Sequence, residues 1–293
     1  MRLDPPSVLR RQVLAAALIL PAVHRLPTST KPCFAAEVPN ADVAALLNVI
    51  PAMPFGAPAT NVTLPRSVVA DIESAAIALE RLGQVDNALS PNVNGSWRLL
   101  YSNAREISNL ASGLPLGFAL GPTYQPLDVG SGRFENQGSI VHQLGVAKAS
   151  TCVVGDVRVA PPGTRNAAST VNDKGNRVDV DFRRIVFSLD EFFGRPLADG
   201  QVRKIVVPTN DPGAAQPAND VTYLDATIRV TRGGDDSIFI FRREESPRPL
   251  LTMEARSALF AEGGRDVVTG KATIGEEENS SPELRKLLRR VPQ

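Results

Sequence analysis

From residue 94 onward, large hydrophobic residues alternate with polar ones at a period of two. Trp97, Leu99 and Tyr101 fall on one side of this pattern, which is typical of a half-buried β-strand. Further short runs of this kind, separated by Gly and polar residues, cover residues 134–146, 149–159, 178–182, 185–187, 201–207, 221–231 and 237–243. The pattern therefore predicts a mainly β fold, either an antiparallel barrel or a sandwich.

Two irregularities in the strand pattern carry local predictions. The alternation slips at Arg183 and Arg184, which predicts a β-bulge or a sharp bend. The RGGDD stretch at 232–236 separates the last two strands and predicts a hairpin turn. Residues 160–176 and 208–220 are rich in Pro, Asn, Ala and Gly, and we expect them to form surface loops or insertions.

The helical signals lie outside the strand region. In residues 66–83, apolar side chains recur every three or four positions behind Pro65 and before Gly83, which predicts an amphipathic helix that packs on the domain. Residues 37–65 are rich in Pro and Ala and predict an extended linker with a short helix over 41–49. The last part, residues 244–293, predicts a flexible tail whose Ser281-Pro282-Glu283 begins a short helix.

The first 36 residues have the pattern of a targeting segment. Arg10 and Arg11 precede an apolar run over 13–23 that is shorter than the roughly 20 residues a membrane-spanning helix needs. A basic region, a short apolar region and small residues at 34–36 indicate a signal sequence. The paired arginines are compatible with a twin-arginine export signal.

Composition excludes several classes of function. The formal net charge of +1 gives no reason to expect nucleic acid as a partner. Two cysteines, Cys33 and Cys152, form no metal-ligand spacing, and the two histidines, His24 and His142, leave little for a catalytic apparatus. We found no phosphate-binding loop, zinc-protease motif or nucleophile elbow. The sequence thus predicts a protein that is not an enzyme and uses no metal or cofactor.

A closed barrel suggests a container. About eight antiparallel strands enclose just enough space for one small ligand. Gly95-Ser96-Trp97 on the first strand resembles the lipocalin motif in which Trp closes the narrow end of the barrel and an Arg of the last strand packs on it. Arg242 and Arg243 are the candidate partners, and a guanidinium over an indole contributes about 0.5–2 kcal/mol. On this interpretation Trp97 is a structural plug rather than a ligand contact.

Two sequence blocks carry a closer resemblance. NGSWRLLYSN follows the helix DIESAAIALERL, and TYLDATIRVTRGGDDSIFIFRR closes the strand region. Together they resemble the plastid lipid-associated proteins, also called fibrillins, over residues 66–243. The resemblance implies a lipocalin-like β-barrel that begins with a helix. It also implies a plastid protein that binds isoprenoid quinones, carotenoids or other lipids at thylakoids or plastoglobules, and the paired arginines add a lumenal placement.

Candidate site residues follow from the barrel hypothesis. The predicted lipid-binding side chains are apolar positions that point into the barrel: Trp97, Leu99, Tyr101, Phe118, Phe182, Leu224, Ile228 and Phe239. Apolar residues at such positions are more often plain core than ligand wall. Asp225, Arg229 and Arg232 are either a polar latch at the barrel mouth or a salt-bridged group that fixes the closing hairpin. Residues 114–122 predict a broken loop that contacts lipid or covers the barrel end.

Three functions remain open at this stage. The first is a protein that binds lipids or prenyl-chain molecules inside the barrel. The second is a structural protein that coats thylakoid or plastoglobule membrane surfaces while its barrel is filled by side chains. The third is an accessory factor that presents a prenylquinone intermediate to a biosynthetic enzyme partner. A cavity large enough for an acyl or prenyl chain separates the first from the second.

Overall fold

A computed structural model describes residues 40–197, 203–207, 217–266 and 272–273 of the 293-residue chain. The helices are α1 (Ala41–Val49), α2 (Arg66–Glu80), α3 (Arg105–Ala111) and α4 (Met253–Ala261). The strands are β1 (Ala59–Thr60), β2 (Gly95–Ser102), β3 (Phe118–Asp128), β4 (Arg133–His142), β5 (Ala147–Val159), β6 (Arg177–Phe192), β7 (Arg195–Pro196), β8 (Arg203–Val207), β9 (Ala218–Leu224), β10 (Ile228–Gly233), β11 (Ile238–Arg243), β12 (Gly264–Asp266) and β13 (Ala272–Thr273). Short 3-10 helices lie at Pro54–Gly56, Asn87–Leu89, Pro91–Val93 and Pro115–Gly117.

Eight of these strands close into an antiparallel barrel. Their order is β6-β5-β4-β3-β2-β11-β10-β9, and pairing of β9 with β6 closes the circle. The strands β8, β12 and β13 continue the sheet away from β6, and β1 adds to β2 in parallel. Closure gives each of these strands a neighbour on both sides, although β2 and β3 pair only through Gly95–Arg98 of β2. The predicted lipocalin-like barrel is therefore confirmed.

Bulges decide which side chains enter the barrel. In β6, Val154 faces Arg184 and Gly155 faces Phe182, so Arg183 is the extra residue of the predicted bulge. A second irregularity lies in β2, where the partners of Leu99 and Tyr101 are adjacent residues of β11. The extra residue between them reverses the alternation. As a result Leu99 points into the barrel while Tyr101 points out of it.

The helices α1 and α2 cover one outer face of the barrel. Val43 and Leu46 of α1 and Ile72 of α2 are fully buried, and they belong to the same apolar cluster as Ile228 and Tyr101. The α2 helix confirms its prediction, and α1 has the predicted bounds. However, the extended linker predicted for residues 37–65 is not what the described part of this segment forms. Its prolines bound short elements that fold back on the barrel instead of carrying an arm away from it.

The helix α4 corrects the prediction of a tail that is flexible from residue 244. Phe260 is fully buried and Leu259 nearly so, in a second cluster with Val154 and Ile205. The guanidinium carbons of Arg183, Arg184 and Arg256 lie 4.7, 5.0 and 4.7 Å from the centre of the Phe260 ring. Arg256 is one of only three buried residues of α4, so the hydrophobic period of this helix is too weak to be recognised in the sequence. The predicted helix at Ser281 and the targeting segment lie outside the described residues.

Residues 114–122 also differ from the prediction of a broken loop. Only Pro115–Gly117 forms a turn, and β3 begins directly at Phe118. β2 pairs with β3 only through Gly95–Arg98, and a bulge after Leu120 accommodates Gly121 and Pro122. Pro122 therefore lies where no partner on β2 needs its missing N–H group. Within the described part of the chain, no helix is both long and apolar enough to cross a membrane.

A cavity inside the barrel

The barrel encloses a cavity of about 440 Å³. This volume lies within the roughly 300–1,000 Å³ typical of small-molecule sites. Apolar side chains from many elements form most of its wall: Leu99, Ile107, Leu110, Leu120, Tyr124, Phe134, Val153, Val180, Phe182, Phe239 and Phe241. The polar side chains of its wall include those of Glu106, Thr123, Gln125, Asn136, Thr151, Asn219, Asp235 and Ser237. Burial of an acyl or prenyl chain in this space would contribute about 0.8 kcal/mol of hydrophobic stabilisation per CH₂ group.

Three of the eight predicted lipid-binding residues line this cavity. They are Leu99 on β2, Phe182 on β6 and Phe239 on β11. Phe182 and Phe239 remain partly exposed although they point inward, because the cavity lies beside them. For these three residues, the alternation of apolar and polar positions along the strands predicted the inward direction correctly.

The other five predicted residues lie elsewhere. Tyr101 and Ile228 are on the outer face of the barrel under α1 and α2. Trp97 and Leu224 belong to the packed interior below the cavity and do not border it. Phe118 packs edge-on against His142, with ring centres 5.2 Å apart. The bulge in β2 explains Tyr101, and Ile228 lies outside because its neighbour Arg229 takes the inward position.

Trp97 closes one end of the barrel, hereafter the closed end. Its indole N–H donates to the carbonyl of Val93 at 2.9 Å. The guanidinium carbon of Arg243 lies 4.2 Å above the indole ring, which confirms one of the two candidate arginines. Arg243 also donates to the carbonyls of Ala226 (2.7 Å), Asn94 (2.8 Å) and Asn92.

Gly95 explains the spacing of the Gly-Ser-Trp motif. Its φ of +134° is a conformation that disfavours any side chain, and a Cβ there would collide with the Arg243 guanidinium. The missing side chain thus makes room for the Arg243–Trp97 stack. The prediction of a structural plug agrees with this geometry.

The opposite end, hereafter the open end, is covered by a short helix and a hairpin. Ile107 and Leu110 of α3 face the cavity, one turn apart. The turn between β10 and β11 contributes Gly233, Asp235 and Ser237 to the rim. β2 and β3 pair only near the closed end. The α3 helix covers the gap between these two strands near the open end.

A polar chain of three residues crosses from the packed interior to the cavity wall. Arg229 is 1% exposed and donates to the side-chain oxygen of Gln125. Gln125 in turn donates to the side-chain oxygen of Asn136 at 2.8 Å. The Arg229 guanidinium carbon also lies 4.2 Å from the ring centre of Phe241 and 5.0 Å from that of Trp97. Burial, together with the nearby charge of Arg243, lowers the pKa of Arg229 to about 9.

The predicted latch residues do not come together. The Asp225 carboxylate accepts from the backbone N–H groups of Thr227 (2.6 Å) and Ile228 (2.7 Å), so it closes a turn. Arg232 forms two hydrogen bonds of 2.8 Å with Glu80 of α2. Arg229 points into the barrel, away from both. The prediction of a shared latch or a single salt-bridged group is therefore wrong in its geometry, although Arg232 does fix α2 to the wall.

Cys152 and His142 are the described cysteine and histidine side chains, and each has only local contacts. Burial raises the pKa of the Cys152 thiol, and the carboxylate of Glu135 beside it acts in the same direction. His142 accepts a hydrogen bond from the backbone of Leu144 at 3.1 Å. Among the described residues, no group of three or more His, Cys, Asp and Glu side chains is arranged to hold a metal ion.

Several cavity residues were missed by sequence reasoning. Ile107 and Leu110 have the three-residue spacing of a helix face, but seven residues are too few to give a clear period. Gln125 and Asn136 carry no recognisable motif. Their inward direction depends on the register of β3 and β4, which the sequence does not define.

Comparisons with known proteins assign the chain to a family. The family model described as PAP_fibrillin matches residues 44–242. The chain is 26% identical over 210 residues to a protein named plastid-lipid-associated protein 6, chloroplastic, from Arabidopsis thaliana, and the match covers 67% of each protein. No solved structure matches the chain significantly.

Proposed function

The chain belongs to the PAP/fibrillin family, and on that premise we propose that it is a plastid lipid-associated protein that holds a lipophilic molecule inside its barrel. The ligand class is an acyl- or prenyl-chain molecule, such as a lipid, an isoprenoid quinone or a carotenoid. The observation that carries the proposal is the cavity of about 440 Å³ lined mostly by apolar side chains. A barrel that served only as a scaffold would be filled to the usual density of a protein interior.

The proposed compartment is the plastid. The similar Arabidopsis protein is named as chloroplastic, which supports this placement. Thylakoid or plastoglobule association is a finer proposal that rests on the family. Lumenal targeting through Arg10 and Arg11 stays a prediction, since these residues lie outside the described part of the chain.

The proposal is of a binding protein rather than an enzyme. The two carboxylates of the cavity wall, Glu106 and Asp235, belong to separate elements at the open end. No motif of the sequence assigns a reaction to them. An accessory role beside a prenylquinone-synthesising enzyme is compatible with a bound prenyl chain and stays a prediction.

A second function, docking on a lipid surface, is favoured by exposed side chains around the open end. Leu116, Leu144 and Phe193 are 85%, 81% and 68% exposed. They lie in three turns at the same end of β3, β4, β5 and β6, and strand order makes these turns neighbours. The carbonyl of Gly117 accepts from Gln143 at 2.9 Å, and that of Val146 accepts from Phe193 at 2.7 Å.

These three turns present large apolar side chains to solvent, which soluble surfaces rarely do in groups. Their occupant in this proposal is the surface of a galactolipid membrane or a lipid droplet. Such docking would place the open end of the barrel next to the lipid phase. A chain could then pass between that phase and the cavity without crossing bulk water.

Lipid retention tests the cavity function. The full chain would be incubated with a thylakoid lipid extract and separated by gel filtration, and retained lipids would be identified by mass spectrometry. We expect one class of single-chain lipophile at about one molecule per protein. Leu99→Trp and Phe239→Trp both fill the cavity and should abolish retention, whereas Leu82→Trp changes an exposed residue and should not.

Circular dichroism and the urea midpoint show whether each variant is folded. Retention that persists in both folded cavity variants would contradict the proposal. So would the absence of any retained lipid in the wild type.

Vesicle flotation tests the docking function separately. Vesicles of digalactosyldiacylglycerol and phosphatidylglycerol would be floated with wild type and with the combined Leu116→Ser, Leu144→Ser and Phe193→Ser variant. The variant should lose most of its vesicle binding. A control variant with Leu82→Ser, Val85→Ser and Leu89→Ser removes three other apolar residues that are 52%, 61% and 66% exposed. Equal losses in both variants would overturn the docking proposal.

A further inference from the structure

The buried guanidinium of Arg229 lacks the partner that such a group normally has. Arg177, Arg183 and Arg256 are also buried, and each pairs with an aspartate: Arg177 with Asp220 at 2.6 Å, Arg183 with Asp156 at 2.6 Å, and Arg256 with the same Asp156. Among the described residues, no carboxylate lies within ion-pair distance of Arg229. Its Nε–H has no hydrogen-bond partner at all.

An isolated buried charge is costly. Removing a cation from water costs several kcal/mol unless an anion or several hydrogen bonds compensate. The contacts of Arg229 with Phe241 and Trp97 recover only part of this, at about 0.5–2 kcal/mol each. The charged side chain that acts electrostatically on Arg229 is Arg243, which is also a cation. The interior of the closed end therefore carries a positive charge to which the described residues supply no counterion.

Arg229 lies close to the cavity, because it borders a small void that shares wall residues with it. The void has a volume of about 10 Å³, which is about the size of one water molecule. Gln125, Phe134, Val180 and Asn219 line both this void and the main cavity. The void therefore adjoins the main cavity beyond the Gln125–Asn136 hydrogen bond, and these shared residues form the wall between the two. This side of the cavity is hereafter the deep end.

The charges at the two ends of the cavity have opposite signs. At the open end, Glu106 and Asp235 are the acidic residues of the wall. At the deep end, Arg229 is the one charged side chain among the described residues that border the void. A ligand with an anionic head is therefore favoured with its head at the deep end and disfavoured with its head at the open end.

We propose that the barrel binds a single-chain amphiphile with a carboxylate head, and that the head enters first and is held by Gln125 and Arg229. This inference rests on the proposed cavity function and adds the ligand's head group and its orientation. The Gln125 side chain turns from Arg229 to admit one carboxylate oxygen, and Asn136 keeps a polar contact at the cavity wall. The hydrocarbon chain extends past Phe182 and Phe239 towards α3.

The single tryptophan makes the orientation measurable. Trp97 lies at the closed end, 5.0 Å from Arg229, and the chain contains no other Trp. Stearic acid with a doxyl quencher at carbon 5 or at carbon 16 would be titrated into the full chain. We expect the carbon-5 label to quench Trp97 fluorescence more strongly than the carbon-16 label.

The head group is tested with the methyl ester of the same acid. We expect the acid to bind at least about tenfold more tightly than the ester, as for a hydrogen bond with a charged group. Arg229→Met and Gln125→Met should each weaken or remove this preference while the ester still binds. Arg98→Met is the control, because Arg98 lies on neighbouring β2 and donates to Gly56 rather than into the barrel.

The outcomes separate the two proposals. If neither acid nor ester quenches Trp97 or is retained by the protein, the cavity function itself fails. If both bind equally well, or the carbon-16 label quenches more, the head-in carboxylate is wrong and the cavity function stands. If folded Arg229→Met and Gln125→Met variants still prefer the acid over the ester, the head-in carboxylate is also wrong.

Discussion

The two ends of the barrel are built from the same strands but are filled very differently. At the closed end Trp97 is fully buried, its N–H is satisfied, and Arg243 covers its ring. At the open end the inward side chains of Phe182 and Phe239 border the cavity, and the seven-residue helix α3 covers the gap between β2 and β3. The difference teaches that the recognisable sequence motif of this chain builds the closed end, whereas the cavity is lined by residues that carry no motif.

The largest effect that tests this comparison is expected for the plug itself. Trp97→Ala removes a fully buried side chain and should lower the free energy of unfolding by about 3–5 kcal/mol. Phe239→Ala at the open end should lower it by less than half as much, because the cavity already removes part of its packing. Urea unfolding of both variants checks this, and equal losses would mean that the two ends are equally packed.

The next effect concerns the arginine that covers the plug. Arg243→Lys should lower the free energy of unfolding by about 1–3 kcal/mol, because an ammonium cannot both stack on Trp97 and donate to three separate carbonyls. Arg242→Lys is the matched control on the adjacent, exposed residue and should change little. If the two variants lose the same stability, the Arg243–Trp97 stack is not what holds the closed end.

A smaller effect on stability, but a clear one on binding, is expected at α3. The double variant Ile107→Ala and Leu110→Ala should lower the free energy of unfolding by only about 1–2 kcal/mol, because both residues are incompletely buried. It should accelerate release of a bound fatty acid, measured by stopped-flow displacement. Asn109→Ala on the outer side of α3 is the control, and unchanged release rates in the double variant would show that α3 does not cover the route.

The smallest expected effects on stability come from two aspartates, Asp128 at the closed end and Asp235 at the open end. Hydrogen bonds from Ser131 hold the pKa of Asp128 below its ordinary 3.8, and those from Ser237 do the same for Asp235. A depressed folded-state pKa stabilises the fold above pH 3.8, and this contribution is lost as the pH falls through the folded value. Both turns are in contact with water, so each contribution should be below about 1 kcal/mol.

Asp128→Asn and Asp235→Asn should therefore lower the urea midpoint slightly at pH 7 and hardly at pH 2. Only Asp235→Asn should also raise the affinity for a fatty acid, because it removes a negative charge from the cavity rim. The same affinity change in Asp128→Asn would remove the distinction between the two ends.

Sequence reasoning reached the barrel because its signals are local. The slip at Arg183 and the RGGDD turn each depend on a few neighbouring residues, and both agree with the structure. The alternation around Trp97 correctly predicted the strand β2, but not the bulge that turns Tyr101 outward. Resemblance to a known family added the barrel closure. The short α1 helix was found because prolines separate it from its neighbours.

The cavity was only partly predictable, since inward direction depends on register over long distances. One extra residue in β2 moved Tyr101 to the outside, and the position of the cavity wall at Gln125 depends on pairing with both β2 and β4. The buried face of α4 escaped prediction for another reason. It consists of Arg256, Leu259 and Phe260, and cationic residues are ordinarily assigned to the surface.

The most direct test of a lipid-holding barrel is to locate the lipid. A crystal of the full chain with a bromine-labelled stearate would show the bromine by its anomalous signal. The account predicts a single bromine site within the cavity, between Phe182, Phe239 and α3 for a label near the end of the chain. Bromine found only outside the barrel, beside Leu116, Leu144 or Phe193, would contradict it and leave a surface-docking protein whose cavity takes no lipid.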